Sequence, residues 1–229
     1  MGRIARVMVP GMPHHVTQRG NRRMETFFHE SDYRAYLELV GRWCREEGVA
    51  IWAYCLMPNH VHLIAVPDFP AALARALGEA HRRYTRLVNF RQEWRGYLWQ
   101  GRFSSVVMDE PHLLAAARYV ELNPVRAGLV RRAEDWPWSS AAGHVCGRRD
   151  PLAESAWLAE RIEGWVCSWG QYLGQNDGDD VASVMRHHEK TGRPLGGLEF
   201  LKKVGQMIGR DLVPKRPGPR PKKKRKSQR

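Results

Sequence analysis

VAIWAYCLMPNHVHLIAVP, residues 49–67, holds two runs of β-forming residues on either side of Pro58-Asn59. Proline cannot donate to a strand ladder and asparagine tolerates turn backbone, so the break reads as a hairpin turn. In the second run, His60 and His62 fall on one side of the strand and Val61 on the other. Residues i and i+2 of a strand lie roughly 6.5–7 Å apart at Cα, so two imidazoles at that spacing can converge on one cation. A pair of satisfied surface histidines is the other reading of HxH, and spacing alone leaves both open.

Working outward, HHVTQRGNR (14–22) alternates as a strand ending at Gly20-Asn21. From Ser31 to about Glu47, the positions Tyr33, Tyr36, Leu37, Val40, Trp43 and Cys44 give a helix with one buried face. Ser31 or Asp32 is its expected N-cap, and Gly48 its expected C-cap. After Pro70 a long helix is expected through about Phe90, on Leu73, Leu77, Ala80, Tyr84 and Leu87. YLWQGRFSSVVM (97–108) reads as a strand, and Pro111 to about Asn123 as a third helix ending before Pro124.

The order β-α-β-β-α-β-α begins as the split βαβ arrangement. The expected class is α+β: a ferredoxin-like (RRM-like) antiparallel sheet with two helices on one face. The other face is left for a ligand or for the third helix. Beyond about Arg149 the signals thin to helices at 156–166 and 198–209, with loops at QNDGDD (175–180) and GRPLGG (192–197). The expected division is residues 1–149 as the main domain, 150–212 as a mainly helical C-terminal extension, and 213–229 as a disordered basic tail.

The chain has 229 residues, 43% of them hydrophobic, with nine tryptophans, enough to bury a core. No apolar run is long enough to cross a membrane, and MGRIARVMVPGMPHH lacks the apolar stretch of a signal peptide, so a cytoplasmic location is expected. Cys44, Cys55, Cys146 and Cys167 form no CxxC pair, which points to reduced structural thiols. The formal charge is +13 and uneven: +7 over residues 1–149, −3 over 150–214 and +9 over 215–229. Such an excess points to a polyanion, most simply nucleic acid, with a solubilising tail as the bland alternative. Lys222, Lys223, Lys224, Arg225 and Lys226 would add non-specific, salt-sensitive affinity.

In ARYVELNPVRAGLV (117–130), Tyr119 and Asn123 are four residues apart and share a helix face. They could present a phenol and an amide oxygen to one place. Equally, Tyr119 could be a core aromatic and Asn123 a helix-end residue before proline. Arginines suited to phosphate are Arg3 and Arg6 on an N-terminal arm, Arg19, Arg22 and Arg23 around the first turn, Arg82, Arg83 and Arg86 on the second helix, and Arg102. Trp136 and Trp138 are expected to pack the third helix onto the sheet.

PNHVHLIAVP, LWQGRFSSVVMD (98–109), ARYVELNPVRAGLV, DWPWSS (135–140) and PGMPHHVTQRGNRR (10–23) together resemble single-tyrosine HUH transposases of the IS200/IS605 type. The resemblance is closest to the REP-associated tyrosine transposases and covers about residues 1–146. It implies a cytoplasmic, nucleoid-associated nuclease and strand transferase acting on single-stranded DNA that carries a palindromic repeat hairpin. It implies a divalent cation, Mg²⁺ or Mn²⁺, held by His60 and His62, and Tyr119 as nucleophile forming a 5′-phosphotyrosine. Insertion-sequence relatives carry glutamine where this chain has Asn123, one methylene shorter, as the remaining ligand. Imidazole ligands favour Mn²⁺. No residue is identified as the base for a phenol of ordinary pKa about 10. The expected state is a monomer, with a dimer as alternative. Two other readings remain: a hairpin-binding regulator with weak catalysis, and a zinc hydrolase using HxH with His112 or His81.

Overall fold

The hairpin at Pro58-Asn59 forms as expected in the computed structural model, which describes residues 4–154, 156–162, 168–175 and 180–214. Strands β1 (His14–Arg19), β2 (Val49–Met57), β3 (His60–Pro67) and β4 (Ser104–Val107) make a sheet of order β2-β3-β1-β4. Every neighbouring pair is antiparallel, which is the ferredoxin-like order. The hairpin turn is tied to the segment after β1: the Gly20 amide donates to the Asn59 carbonyl, and the Thr26 amide to the Pro58 carbonyl. Gly20 has no substitute here, because a Cβ would lie 2.2 Å from the Met24 carbonyl oxygen.

One local reading changes and one feature is added. In β2 the register shifts between Ile51 and Ala53. The extra residue moves Trp52 and Ala53 onto one face and returns Tyr54 to the face of Ile51. The expected strand over 97–108 shrinks to Ser104–Val107. Before it, Gly101 turns the chain at φ +68° and Trp99 makes only an isolated bridge to Gly20. Trp99 is drawn into the core, so the segment cannot hold an edge ladder.

Helices α1 (Glu30–Glu46) and α2 (Ala72–Arg91) cover one face of the sheet. Their apolar stripes meet Val16, Ile51, Tyr54, Leu56, Val61 and Leu63. The N-cap of α1 is His29 rather than Ser31 or Asp32. Asp32 sits one turn in, where its carboxylate accepts from the Phe28 and His29 amides and pairs with Arg91 at the far end of α2. Burial alone would raise this carboxyl, but Arg91 and the two amides outweigh it and hold it below its ordinary value. Gly48 follows the C-cap Glu47 at φ +61°.

The other face is covered by α3 (Glu110–Glu121), whose Leu113, Ala116, Ala117 and Val120 pack on Cys55, Met57, Ile64 and Val106. The helix stops at Glu121, not Asn123, and Pro124 falls in the first turn of a separate α4 (Asn123–Arg126). A proline there removes no helical hydrogen bond. The stretch after α4 runs along β2: Leu56 donates to the Trp138 carbonyl, Ser140 to the Tyr54 carbonyl, and Trp136 Nε1 to the Leu56 carbonyl. Trp136 packs with the α3-side core as expected, whereas Trp138 stacks on Tyr33 of α1 at 4.7 Å, so the pair wraps the sheet edge.

After α5 (Ala141–Cys146), the C-terminal extension is helical among the described residues: α6 (Ala156–Ile162), α7 (Trp169–Gly174), α8 (Asp180–Thr191) and α9 (Leu198–Ile208). Trp157, Leu158, Trp169, Leu173, Met185 and Leu195 enter the same core as α3. The N-terminal arm is held too, with Val7 and Val9 buried against Val204 and Leu212, and the Arg210 guanidinium donating to the Ala5 carbonyl. Arg3, Cys167, most of QNDGDD and the basic tail lie outside the described residues. No helix among the described residues is long and apolar enough to cross a membrane.

Two outcomes follow. Glu121 is fully buried at the end of α3 and accepts from Ser140 Oγ, His144 Nδ1 and Trp169 Nε1 at 2.5, 2.6 and 2.7 Å. Removing it strands three donors, so Glu121→Ala is expected to cost about 3 kcal/mol or more in chemical denaturation. Burial also holds His14 at about 4 and His81 at about 3. Above the ordinary value of 6.5 neither the folded nor the unfolded chain is protonated there. Below it the unfolded chain takes up protons that the folded chain refuses, down to about 4 and about 3 respectively. Stability is therefore expected to fall as pH drops below 6.5, by up to about 1.4 kcal/mol per pH unit for each ring, measured by denaturation from pH 7 to 5.

Candidate metal centre

The β1–β3 register decides which side chains meet. Thr17 pairs with His62, Arg19 with His60 and His15 with Ile64. Side chains two apart share a face, so His15, Thr17, Arg19, His60 and His62 all project from the α3 side of the sheet. The rings of His60 and His62 lie edge to face at 5.0 Å, while the rings of His15 and His62 are parallel to within 3°, their centres 5.2 Å apart. Tyr119, from α3, stands edge-on to both, its ring 5.7 Å from His62 and 6.0 Å from His15. The two expected histidines and the expected tyrosine thus come together.

His15 was not among the sequence candidates, although the alternation of HHVTQR placed it in a strand. Only the pairing of β1 with β3 brings it beside His62. Glu189 was missed as well. It lies on α8, some seventy residues after Tyr119, with no motif around it. His15, His62 and Glu189 offer ligand atoms that all fall within 4.8 Å of one another.

The protonation chemistry suits cation binding. Burial lowers His15 to about 3, burial and then Arg19 lower His60 to about 4, and burial with the neighbouring imidazoles takes His62 well below 6.5. At neutral pH all three rings are uncharged and each keeps a lone pair. Asn59 Oδ1 accepts from His60 Nδ1 at 2.6 Å, and Asn59 Nδ2 donates to the Arg23 carbonyl, which fixes the amide's orientation. The lone pair of His60 is therefore on Nε2. Two buried atoms, His15 Nδ1 and Glu189 Oε1, have no hydrogen-bond partner. Neutral imidazoles, a carboxylate and orphaned polar atoms make a donor set that fits a divalent transition cation.

A cavity of about 500 Å³ opens in front of His60 and His62, bordered by Thr17, Arg19, Arg23, Arg186 and Lys190. Its rim is positive and contains one carboxylate, Glu189, pushed up to about 7 by burial. Burial first and Glu189 second raise the Tyr119 phenol, against the pull of Arg126, Arg186 and Arg19. The Arg126 guanidinium lies 4.5 Å above the Tyr119 ring and donates to the Tyr119 carbonyl. Beside the cavity, Arg22 and Arg23 hold φ of +53° and +63°, a costly conformation for side-chain-bearing residues.

The remaining candidates scatter. Asn123 Nδ2 donates to the Tyr119 and Val120 carbonyls, bonds that leave its amide oxygen uncommitted. Arg19 and Arg23 line the cavity, and Arg22 is exposed next to it. Arg6 lies over the Phe103 ring at 3.8 Å and donates to its carbonyl. Arg82 pairs with Glu79, Arg83 lies over Trp43, and Arg86 and Arg102 are exposed. His81 is bonded to Tyr36 in the opposite core and His112 to Asp109, so neither joins His60 and His62 as a third ligand.

Against known proteins, residues 8–123 match the family model "Transposase IS200 like". A putative REP-associated tyrosine transposase of Haemophilus influenzae is 30% identical over 99 residues, covering 38% of this chain and 56% of that protein. A REP-associated tyrosine transposase of Escherichia coli K12 is 24% identical over 97 residues, covering 42% and 56%. The chain thus spans about half the length of the curated relatives it matches. A solved REP-associated tyrosine transposase bound to a REP hairpin superposes with a TM-score of 0.55 at 21% identity, over 68% of this chain and 92% of that one. With just over half of its residues in that family model, including both strand histidines and the helix tyrosine, the chain belongs to the IS200-like transposases.

Proposed function

We propose that this protein is a metal-dependent endonuclease and strand transferase for single-stranded DNA that recognises palindromic, REP-type hairpins and cleaves through a 5′-phosphotyrosine on Tyr119. The observation that carries the reading is the position of Tyr119, edge-on to His62 at 5.7 Å while His60 and His62 face the positive cavity. The donor set is read as a site for Mg²⁺ or Mn²⁺ on His60 and His62, with Asn123 as a further ligand through its oxygen. When bound, the cation would neutralise phosphate charge and orient the group for in-line attack.

The chain's own residues supply the rest. Arg19, Arg23 and Arg186 border the cavity and give a phosphate its charge-assisted partners. Arg126 and Arg19 oppose the burial of the Tyr119 phenol and so favour the phenolate as its proton leaves. Attack breaks the P–O3′ bond, leaving a 3′-hydroxyl and a phosphotyrosine diester. A second hydroxyl displaces Tyr119 from that diester, so strand rejoining requires no nucleotide triphosphate.

A path for the single strand leaves the cavity around the segment 20–24. There a space of about 420 Å³ is lined by Asn21, Met24, Trp94, Arg95 and Tyr97. Phe90 and Tyr97 are each 88% exposed, which suits base stacking. With Arg22, Arg82, Arg83, Arg86 and Arg102, this surface is read as the DNA-binding face, Arg3 and Arg6 adding contacts from the N-terminal side. The working form is proposed to be a monomer acting on DNA in the cytoplasm, at the nucleoid.

Incubation with labelled single-stranded repeat DNA from the flanks of its own gene, with Mn²⁺, is expected to give a denaturant-resistant protein–DNA adduct. Tyr119→Phe should lose the adduct and keep hairpin affinity within about twofold; an adduct from the Phe protein would overturn the mechanism. Hairpin binding by the parent chain without cleavage at millimolar Mn²⁺ would instead mark a DNA-binding regulator. Phe90→Ala and Tyr97→Ala should each weaken single-strand binding by about tenfold in a titration, while a fully paired hairpin is held as before.

A further inference from the structure

We propose that Glu189, on α8, is the outer member of a positioning relay Glu189–His15–His62 that decides which nitrogen of His62 is offered to the cation. The inference rests on the metal-dependent reading above and goes beyond it by giving the C-terminal extension a part in building the site.

A neutral imidazole carries one N–H and one lone pair. His15 Nε2 and His62 Nδ1 are 2.9 Å apart in a buried hydrogen bond, so one of them donates. If His62 Nδ1 donates, the lone pair of His62 lies on Nε2, and the proton of His15 lies on Nδ1. That atom is buried, has no hydrogen-bond partner and faces Glu189 Oε1, equally unpartnered, at 3.7 Å. A movement of about 0.8 Å closes the gap to an ordinary bond of roughly 2.9 Å. If His15 Nε2 donates instead, His62 is protonated on Nε2 and loses the lone pair. The His15 Nδ1 lone pair then faces a carboxylate oxygen, which is repulsive.

Glu189 in its ionised form therefore selects the first arrangement, because it can accept from His15 Nδ1 but cannot donate to it. The rings of His15 and His62 have planes 3° apart and centres 5.2 Å apart, so with the two nitrogens 2.9 Å apart they lie end to end and the bond between them runs in the plane of both. His60 is oriented by a different device, the Asn59 side chain of the hairpin turn. One ligand is thus set by the turn between the strands. The other is set from α8, which lies beyond residues 8–123 that carry the family resemblance. The Ser104 hydroxyl donates to the Glu189 main-chain carbonyl at 2.9 Å and holds that turn of α8 against β4.

The test uses the full-length protein labelled with ¹⁵N-histidine. Two-bond proton–nitrogen correlation spectra without metal are expected to show His15 and His62 both protonated on Nδ1. In Glu189→Ala the His62 tautomers should mix, and Mn²⁺ affinity read from the free-ion electron paramagnetic resonance signal should fall roughly 10–100-fold. Glu189→Gln, whose amide oxygen still accepts a hydrogen bond, should restore part of both. A parent protein with His62 protonated on Nε2 overturns the relay, and this readout needs no variant to fold. Weaker Mn²⁺ binding with an unchanged His62 tautomer also overturns it, and makes Glu189 a direct ligand. The stated tautomers in a chain that binds no Mn²⁺ would uphold the relay and bring down the metal-dependent reading instead.

Discussion

The antiparallel register between β1 and β3 is the constraint on which the site depends. It sets Thr17 opposite His62 and Arg19 opposite His60, and the pleat then forces His15 onto the same face. A slip of one residue in β1 would turn His15, Thr17 and Arg19 toward α1 and α2, where the core is apolar. The register is protected at the hairpin end, because the chain after β1 is bonded to the Pro58 and Asn59 carbonyls and Gly20 leaves no room for a side chain. The same contacts hold the strained pair Arg22-Arg23 at the rim of the cavity.

Burial does two opposed things at this centre. It keeps the imidazoles neutral, with lone pairs free, and it raises the Tyr119 phenol, which the proposed attack would require to give up a proton. The arginines answer the second effect. Arg19 and Arg186 line the opening and Arg126 covers the Tyr119 ring, so a phenolate or a phosphate is better tolerated there than a cationic imidazole. The arrangement is electrostatically prepared for anions while its neutral rings keep lone pairs that a cation could use.

The third helix is anchored from behind. Glu121, two residues past the tyrosine, gathers donors from Ser140, His144 and Trp169, so α5 and α7 fix where α3 ends. Together with α8 this makes the C-terminal extension part of the core that presents Tyr119. The extension shares that core although all of it lies outside the segment matching the family model.

Much of this was legible in the residues themselves. Two runs of β-forming residues broken at Pro58-Asn59 located the hairpin, and the i, i+2 spacing paired His60 with His62. Helical spacing located α1, α2 and α3, and the motifs around His60, His62 and Tyr119 pointed to the family. These are short-range signals, written in periods of two and 3.6 residues. Most of the misses share a cause. The shift at Trp52 and the collapse of 97–103 came from contacts to distant segments that local pattern does not contain, Trp52 with Trp157 and Trp99 with the core under α1 and α2. The N-cap at His29 is a local capping box with Asp32. His15 looked like any strand residue until β1 paired with β3, and Glu189 like any exposed helix acid until α8 folded onto β4. Local periodicity, then, determined the elements and the side each residue faces. Only the tertiary structure decided which histidine lies against which carboxylate, because that depends on strand register and helix docking between residues far apart in the chain.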